Sequence, residues 1–339
     1  MSEARRVSEL LLLLHFLPKA DLNQKRENQM SRQNNSNEKF KSKIGGQALI
    51  EGIMMLGVNT GAMACRLPDG SIDVEIWNER NGKNAPWYKK TPFIRGSFNF
   101  VSSMVKGYKY LMKSADKQMT PEEKDEELSK GENALVSGMM YIGMILGVVI
   151  ALGLFMFLPK WIVGFIKPLT DSRILRSLVE GVVKIAVFVS YMALTSLMKD
   201  IRRQYEYHGA EHKTIACHEA MLPLTVENVR KQTRFHKRCG TSFIFIVLIV
   251  SIFVMCFIPF TIVWQRVLAS VILLPVVVGI SYECIRLAGN HDNLFTKILS
   301  APGLAMQRIT TREPDDSQIE VAISALKPCI PENHEEDVW

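Results

Sequence analysis

The residues best suited to chemistry lie in a histidine-rich segment, residues 199–241, which contains His208-Gly209-Ala210-Glu211-His212. In a helix, two histidines four residues apart lie on the same face, which is the spacing for binding one metal ion. Glu211 lies on the same side, three residues after His208. This is the His-x-x-Glu-His pattern of inverted zinc proteases, in which the glutamate acts as general base on a metal-bound water. The pattern predicts a divalent metal ion such as zinc, bound by His208 and His212, with Glu211 as a catalytic residue.

A third ligand is needed, because catalytic zinc sites normally bind the ion through three protein side chains. The candidates are Glu283 near the end of the last apolar run, His236 and Cys239 just before the third apolar run, and Glu219 further along the predicted helix. Three protein ligands would leave a position open for catalysis, whereas His236 and Cys239 together with the first two histidines would close the site and make it structural. His208 and His212 could instead be interfacial residues that form hydrogen bonds with lipid headgroups or with the N-terminal region.

A glycine-rich segment supplies further polar residues. Gly45-Gly46-Gln47-Ala48-Leu49-Ile50-Glu51-Gly52 lacks the Gly-Lys-Ser/Thr ending of a phosphate-binding loop, so the segment does not predict nucleotide binding. Glu51, as a second catalytic residue, and Gln47 could position a substrate at the metal ion.

Long apolar runs flank the histidine-rich segment. The chain is 47% hydrophobic and 22% charged, but the two kinds of residue are segregated along it. A helix needs about 20 mostly apolar residues to cross a bilayer. Runs of this length are too uniformly apolar for the alternating strands of a membrane barrel. The pattern predicts an α-helical multi-pass membrane protein, with about four transmembrane helices at residues 134–158, 178–198, 242–264 and 267–288.

Positive charges predict the orientation of these helices. Lysines and arginines are frequent in residues 199–241, whereas the connection between the third and fourth runs holds only Arg266. Because positively charged loops stay in the cytoplasm, the histidine-rich segment and both termini are expected there, and residues 159–177 outside. The formal net charge of +7 does not indicate a nucleic-acid partner, since no aromatic and basic recognition motif accompanies it. The expected partners are the lipid bilayer and an unidentified cytoplasmic protein or membrane substrate.

The remaining segments are expected to lie in the cytoplasm. Residues 1–43 form a disordered N-terminal tail, because Asn, Gln, Ser and Lys dominate much of it. Residues 44–118 form a small α+β region, in which a β-hairpin turns at Pro68-Asp69-Gly70. Residues 119–133 form an acidic linker, and residues 289–339 a C-terminal tail.

Two amphipathic helices are predicted within these segments. After Pro92, apolar residues recur at helical spacing: Ile94, Phe98, Val101, Val105, Tyr108 and Met112. We expect this face to pack on the hairpin, the alternative being that it lies on the bilayer surface. The second helix is predicted in residues 310–325. Its apolar residues at helical spacing are Ile319, Ala322 and Ile323, followed by Leu326. They predict a helix that could dock a partner.

Several longer motifs occur between about residues 44 and 326. They are the glycine-rich segment, Pro92-Phe93-Ile94-Arg95-Gly96, Tyr207-His208-Gly209-Ala210-Glu211-His212-Lys213, Thr225-Val226-Glu227-Asn228-Val229, Arg238-Cys239-Gly240, Gly279-Ile280-Ser281-Tyr282-Glu283, Ala301-Pro302-Gly303-Leu304 and Thr310-Thr311-Arg312-Glu313-Pro314. In this order they resemble the bacterial YqhQ-like membrane protein family. The resemblance implies a protein of the bacterial cell membrane, from a group commonly described as predicted metal-dependent enzymes. It implies no substrate or reaction.

The leading hypothesis is therefore a cytoplasm-facing, metal-dependent membrane enzyme, a hydrolase. The alternative is a non-enzymatic membrane scaffold or assembly factor that docks a cytoplasmic partner through the helix near the C-terminus. A small transporter is a third hypothesis, because Glu180 and Lys184 are ionisable residues within the second apolar run. The sequence does not give the substrate or the oligomeric state.

Overall fold

The computed structural model describes residues 40–79, 81, 86–119, 142–143, 145–165, 172–260, 262–291, 293–333 and 336–337. Over these residues the chain is mostly helical, with a small antiparallel sheet on the N-terminal side. The predicted disordered tail and acidic linker fall almost entirely outside the described residues, as does the start of the first predicted transmembrane helix.

The sheet has four antiparallel strands. In spatial order they are β1 (Gly45–Leu49), β2 (Gly52–Leu56), β3 (Thr60–Arg66) and β4 (Ile72–Asn78). The predicted hairpin corresponds to β3 and β4, and its turn contains Gly70 at a φ of 85°, which glycine adopts without a steric penalty. The glycine-rich segment forms β1 and β2, and Glu51 lies in the tight turn between them.

Helices make up most of the rest of the described chain. In order they are α1 (Ile94–Gln118), α2 (Ile145–Gly164), α3 (Arg173–Thr195), α4 (Lys199–Glu219), α5 (Val226–Arg230), α6 (Gly240–Cys256), α7 (Val263–Ile272), α8 (Leu274–Asn290), α9 (Leu294–Thr310) and α10 (Asp316–Leu326). The histidine-rich segment is largely helical, because α4 and α5 lie within it, and α4 is the helix that the spacing of His208 and His212 predicts.

Two helices are long and apolar enough to cross a membrane: α2, with 20 residues, and Ile174–Thr195 of α3, with 22. Their most apolar windows are only 11% and 17% buried, so both helices present apolar surface outward. The first predicted helix ends at residue 158, but α2 continues past Pro159 to Gly164. A π-helical segment, Gly153–Phe157, precedes the proline. A local change of this kind lets a helix accommodate the carbonyl clash and lost hydrogen bond that proline causes.

The other two apolar runs are shorter or broken in the structure. α6 has 17 residues and ends at Cys256, a few residues before Pro259, instead of continuing to residue 264. The fourth run forms two helices, α7 and α8, bent by 54° at a break next to Pro275. Proline has no amide hydrogen to continue the hydrogen bonding of α7. The described chain thus has two helices, or three if the bent pair is one span, that could cross a membrane by length and composition.

α1 contacts the sheet through its polar face. Three ion pairs join it to β4 and the residue that follows β4: Lys106–Glu79, Lys113–Glu75 and Lys117–Asp73. Between them Trp77 stacks on Tyr110, with ring centroids 4.2 Å apart. These partners lie at every second residue of the strand and at every third or fourth residue of the helix, so one face of each element meets the other.

The predicted apolar face of α1 consequently points away from the sheet. Phe98, Val101, Val105 and Tyr108 are 49%, 58%, 63% and 53% exposed. The expectation that this face packs on the hairpin is wrong, because lysines on the opposite face find carboxylates on the strand.

The C-terminal segment is part of the fold rather than a tail. α10 packs against the sheet and α4, and Ile319, Ala322 and Leu326 on its apolar face are fully buried. Asp337 accepts hydrogen bonds from Ser42 and contacts His218, which fixes the end of the described chain to its beginning. The face predicted to dock a partner is covered by the protein's own chain, so it does not have that role here.

Candidate metal centre

Two backbone carbonyls fix the imidazoles of α4. His208 Nδ1 lies 2.8 Å from the carbonyl oxygen of Thr310, and His212 Nδ1 lies 2.6 Å from that of Arg234. A carbonyl oxygen can only accept a hydrogen bond, so in each neutral ring Nδ1 carries the hydrogen and Nε2 keeps its lone pair. A hydrogen bond of this kind on the non-binding nitrogen is typical of metal-ligating histidines. Both Nε2 atoms are therefore left available as ligands.

Cys239 completes a group of three ligand atoms. It is the N-cap of α6, where its Sγ accepts a hydrogen bond from the backbone N of Thr241 at 3.4 Å. Its Sγ lies 3.2 Å from Nε2 of His208. One ligand atom each from His208, His212 and Cys239 lies within 4.8 Å of the other two. Nitrogen and sulfur ligands of one tetrahedral zinc ion lie about 3.5 Å apart, given bonds of about 2.0–2.3 Å. The group therefore needs only small adjustments to hold an ion.

The sulfur and the imidazoles shift each other's ionisation. Burial raises the pKa of the Cys239 thiol, but the neighbouring His208 and His212 outweigh it and hold that pKa well below its usual range. Burial lowers the pKa of His208, but the Cys239 sulfur outweighs it and raises the pKa to about 9. The group thus favours a thiolate, which is the form of cysteine that binds metal ions.

Gly209 allows the segment after α9 to cross over α4. A Cβ at this position would lie 1.9 Å from the carbonyl oxygen of Arg312, and the backbone N of Arg312 donates a hydrogen bond to Tyr205 O at 2.8 Å. Only a glycine leaves room for two backbones this close. The same crossing brings the carbonyl of Thr310 to His208, so the glycine of the motif makes the contact of its neighbouring histidine possible.

Glu211 lies beside the three ligands and is 5% exposed. Its carboxyl group faces Gly46 of β1, where a Cβ would lie 3.0 Å from Glu211 Cδ, and it interacts with the Gly46 backbone. Its Oε2 is buried without a hydrogen-bond partner among the described residues. Burial raises the pKa of this carboxyl group, while the two nearby imidazoles oppose the rise. A buried carboxyl oxygen in this position can accept or donate a proton next to the ligands.

His236 and Glu219, two further candidates, lie near the group but interact with each other. The ring of His236 has its centroid 5.6 Å from that of His212. Its Nε2 lies 3.6 Å from Glu219 Oε2 and 3.2 Å from Arg238 Nη2, and Arg238 also pairs with Glu219. The amide of Gln307 holds the backbone of His236 through two hydrogen bonds of 2.8 Å. The structure therefore places both candidates beside the group of three ligands, with charged partners of their own.

Glu283 is held by Arg95 instead of joining the group. Its Oε1 accepts hydrogen bonds from Arg95 Nε at 2.8 Å and from the backbone N of Phe93 at 3.1 Å. Nearby, Gly96 and Gly279 let α1 cross α8 closely, since a Cβ on Gly96 would lie 3.0 Å from Gly279 Cα. The two sequence motifs that contain these residues thus form one joint between α1 and α8, and Glu283 is part of that joint.

Glu51 and Gln47 do not belong to the group of ligands either. Glu51 Oε2 accepts hydrogen bonds from Arg203 Nη2 at 2.6 Å and from Tyr207 Oη at 3.1 Å. Arg203 and Tyr207 precede Glu211 by two turns and one turn on the same face of α4. Gln47 packs against α1. A role of Glu51 in positioning a substrate stays a prediction.

The groups that the sequence did not reveal are mostly parts of the backbone. The carbonyls of Thr310 and Arg234 orient both imidazoles, yet a carbonyl has no residue-type signature. Two positions, Gly209 and Gln307, are visible in the sequence as a glycine within the histidine motif and a polar residue within an apolar helix. Neither feature alone predicts the contact that the residue makes. Two oriented imidazoles, a thiolate and an unpaired buried carboxyl oxygen together fit a zinc ion held by three protein ligands.

Comparisons with known proteins agree with the resemblance seen in the motifs. A model of the family described as "Protein of unknown function (DUF1385)" matches residues 91–332, which include His208, His212 and Cys239. "Uncharacterized protein YqhQ" of Bacillus subtilis (strain 168) is 35% identical over 300 residues, which cover 87% of this chain and 94% of that protein. No solved structure shows significant similarity. The chain therefore belongs to the DUF1385 family of YqhQ-like proteins, as the motifs predicted.

Proposed function

We propose that this protein is a metal-dependent enzyme of the bacterial cell membrane, a hydrolase whose site faces the cytoplasm. The observation that carries the proposal is the group of His208, His212 and Cys239 beside the buried carboxyl group of Glu211. Three protein ligands leave coordination positions open on zinc, which is typical of catalytic rather than structural sites.

Each residue of the group has a distinct role in this proposal. The two Nε2 atoms and the Cys239 sulfur would hold the ion, and the carbonyls of Thr310 and Arg234 would keep the imidazoles oriented. A bound zinc ion supplies Lewis-acid activation of water and of a carbonyl or phosphoryl oxygen. Glu211 would accept and return a proton at its Oε2, which is within the buried surroundings of the site.

Exposed apolar surface supports the membrane part of the proposal. On α2 and α3, Leu146, Val182 and Leu194 are 55%, 68% and 66% exposed, within helices whose other outward residues are mostly apolar. A continuous apolar surface along two helices of this length is unfavourable in water and favourable in lipid. We place α2, α3, α6 and the bent pair of α7 and α8 in the bilayer. The exposed apolar face of α1 would then lie on the membrane surface.

The positive charges of residues 199–241 support the orientation. They would keep α4 and the metal group on the cytoplasmic side, together with both termini. The ligands come from α4 and from the N-terminal end of α6, so the site would lie where the membrane meets the cytoplasm.

The metal content of the purified protein tests the proposal. After purification with added zinc, we expect about one ion per chain in the wild type, as for a single three-ligand site. The variants His212→Ala and Cys239→Ser should lose most of it. His291→Ala is the matched control, because His291 is exposed and lies outside the group, and it should bind zinc like the wild type. A wild type without metal after this treatment would overturn the proposal.

A second experiment separates an enzyme from a scaffold. Glu211→Gln keeps the three ligands but removes the group that accepts a proton, so the variant should retain zinc. In cells it should reproduce the phenotype of a gene deletion. Full function of this variant with normal zinc content would contradict an enzymatic role and favour the scaffold.

A further inference from the structure

A second group of polar side chains is buried among α2, α3 and α7. Lys160, Glu180, Lys184 and Arg266 are 3%, 4%, 7% and 9% exposed. Lys160 Nζ lies 3.2 Å from Glu180 Oε1, and Arg266 Nη2 lies 2.8 Å from Glu180 Oε2. Both oxygens of the carboxylate therefore already have a cationic partner.

This group lies at the end of α6 that is opposite to the metal ligands. Arg266 also donates a hydrogen bond to Ser177 at 3.1 Å, and Ser177 donates one to the carbonyl of Met255 at 3.2 Å, in the last turn of α6. Cys239 caps the first turn of the same helix. At about 1.5 Å per residue, Met255 and Cys239 are roughly 24 Å apart along the helix.

Lys184 is the cation that the carboxylate does not satisfy. It lies one turn after Glu180 on α3, within electrostatic range of Lys160, Glu180 and Arg266. Its ammonium makes no ion pair with that carboxylate in the described part of the chain, and although the residue is only 7% exposed, its Nζ is not fully enclosed by the protein. Among the described residues, three cationic side chains lie around one anionic one, a formal excess of two positive charges. An excess of buried charge is unfavourable unless a counter-charge is present.

Two exposed tryptophans next to this group indicate where it lies relative to the membrane surface. Trp161 directly follows Lys160 and is 50% exposed, and Trp264 lies two residues before Arg266 and is 62% exposed. Exposed tryptophans are typical of the level of lipid headgroups. The buried cations thus lie next to a surface where phosphate groups of lipids would be found.

We propose that Lys160, Lys184 and Arg266 form a site for a phosphate group, carried by an anionic lipid headgroup or free in solution. A phosphate monoester carries close to two negative charges at neutral pH, which matches the excess of the group. Arginine and lysine are the side chains that bind phosphate most often, arginine through its fork of N–H donors and lysine as a point charge. The inference concerns a different site from the metal group and does not depend on it.

Lys184→Met tests the site most directly, because it removes the unpaired charge and leaves both ion pairs of Glu180 in place. Lys199→Met is the matched control, since Lys199 is exposed at the start of α4. Each protein is titrated with inorganic phosphate in a neutral detergent. Each is also placed in nanodiscs of phosphatidylcholine with and without phosphatidic acid. The readouts are the midpoint of thermal unfolding and the lipid retained in native mass spectrometry.

We expect the wild type and Lys199→Met to be stabilised by a phosphate probe, and Lys184→Met to bind that probe at least tenfold more weakly. Lys184→Arg, which keeps the charge, should bind like the wild type, and it keeps the test valid if the methionine variant does not fold. A response to phosphatidic acid alone would identify a lipid headgroup as the source, and a response to both probes a site open to free phosphate. A wild type that responds to neither probe, or a Lys184→Met variant that responds like the wild type, would overturn the proposal.

Discussion

The two ends of α6 gather buried polar groups of two different kinds. At its N-cap, Cys239 and two imidazoles of α4 offer one sulfur and two nitrogen atoms to a metal ion, because the Nδ1 atoms of both rings are bonded to carbonyls. At its other end, the lysine and arginine side chains outnumber the one carboxylate found among the described residues, so N–H donors are left unused. One end therefore suits a cation and the other an anion, and the same helix separates them.

The two groups also depend on different parts of the chain. The histidines are oriented by backbone carbonyls from segments far away in sequence, so their geometry depends on how backbones cross. The charged group is built from side chains of three neighbouring helices, so its stability depends on the balance of charge. The first should be most sensitive to changes in shape, the second to changes in charge.

Glu180→Gln should have the largest effect on stability, because within the described part of the chain it removes the only carboxylate that pairs with Lys160 and Arg266. Breaking a buried ion pair by removing one partner costs about 3–5 kcal/mol. We expect a clear drop in the midpoint of thermal unfolding in detergent. Zinc content of the protein that remains folded should not change, since the proposed metal ligands lie at the other end of α6. Unfolding like that of the wild type would show that Glu180 is not needed to balance the cations.

Gly209→Ala should have a smaller effect on stability but a specific one on metal binding. Its Cβ would collide with the carbonyl of Arg312, and overpacking of this kind costs about 1–3 kcal/mol. As the crossing moves, Thr310 would lose its contact with His208, and losing an orienting partner typically weakens metal affinity about 10–100-fold. Zinc titration with a competing chelator measures this. Gly147→Ala is the control, because a Cβ there meets no atom within 4 Å. Equal zinc affinity in both variants would argue against the role of the crossing.

Lys184→Met should have the smallest effect, with the opposite sign. In neutral lipid and without phosphate, removing an unpaired buried cation should raise the free energy of unfolding by about 1 kcal/mol. Thermal unfolding in phosphatidylcholine nanodiscs measures this. A marked loss of stability under these conditions would mean that Lys184 is already balanced by the protein, and the contrast between the two ends of α6 would fail.

The sequence predicted that His208 and His212 lie together, whereas Cys239, which lies beside them in the structure, was only one of several candidates for a third ligand. His208 and His212 follow from helical spacing, which is a local property. Cys239, Glu219 and Glu283 are all expected near the same membrane face, and the choice among them depends on which neighbour each side chain finds. Glu283 pairs with Arg95 and Glu219 pairs with Arg238, and the spacing of these residues along the chain predicts neither ion pair.

The fold shows the same limit. The spacing of apolar residues predicted the helix α1 but not the face of it that meets the sheet. That choice depends on ion pairs with carboxylates of β4 and the residue after it, which the spacing within α1 cannot reveal. The four apolar runs were all found as helices in the described residues, whereas the ends of α6 and the break between α7 and α8 were not predicted. The mean hydropathy of a run hardly changes when it contains one proline, whereas the helix can end or bend at that residue.

The bond between His208 and the carbonyl of Thr310 joins residues 102 positions apart. Chains are synthesised from the N-terminus, and early segments begin to fold before later ones exist. While the ribosome is still short of residue 310, the histidine motif is already made but its first ring has no carbonyl to fix it. On the proposed function, zinc insertion would then be a late event in biogenesis, and prematurely terminated chains would bind the ion poorly.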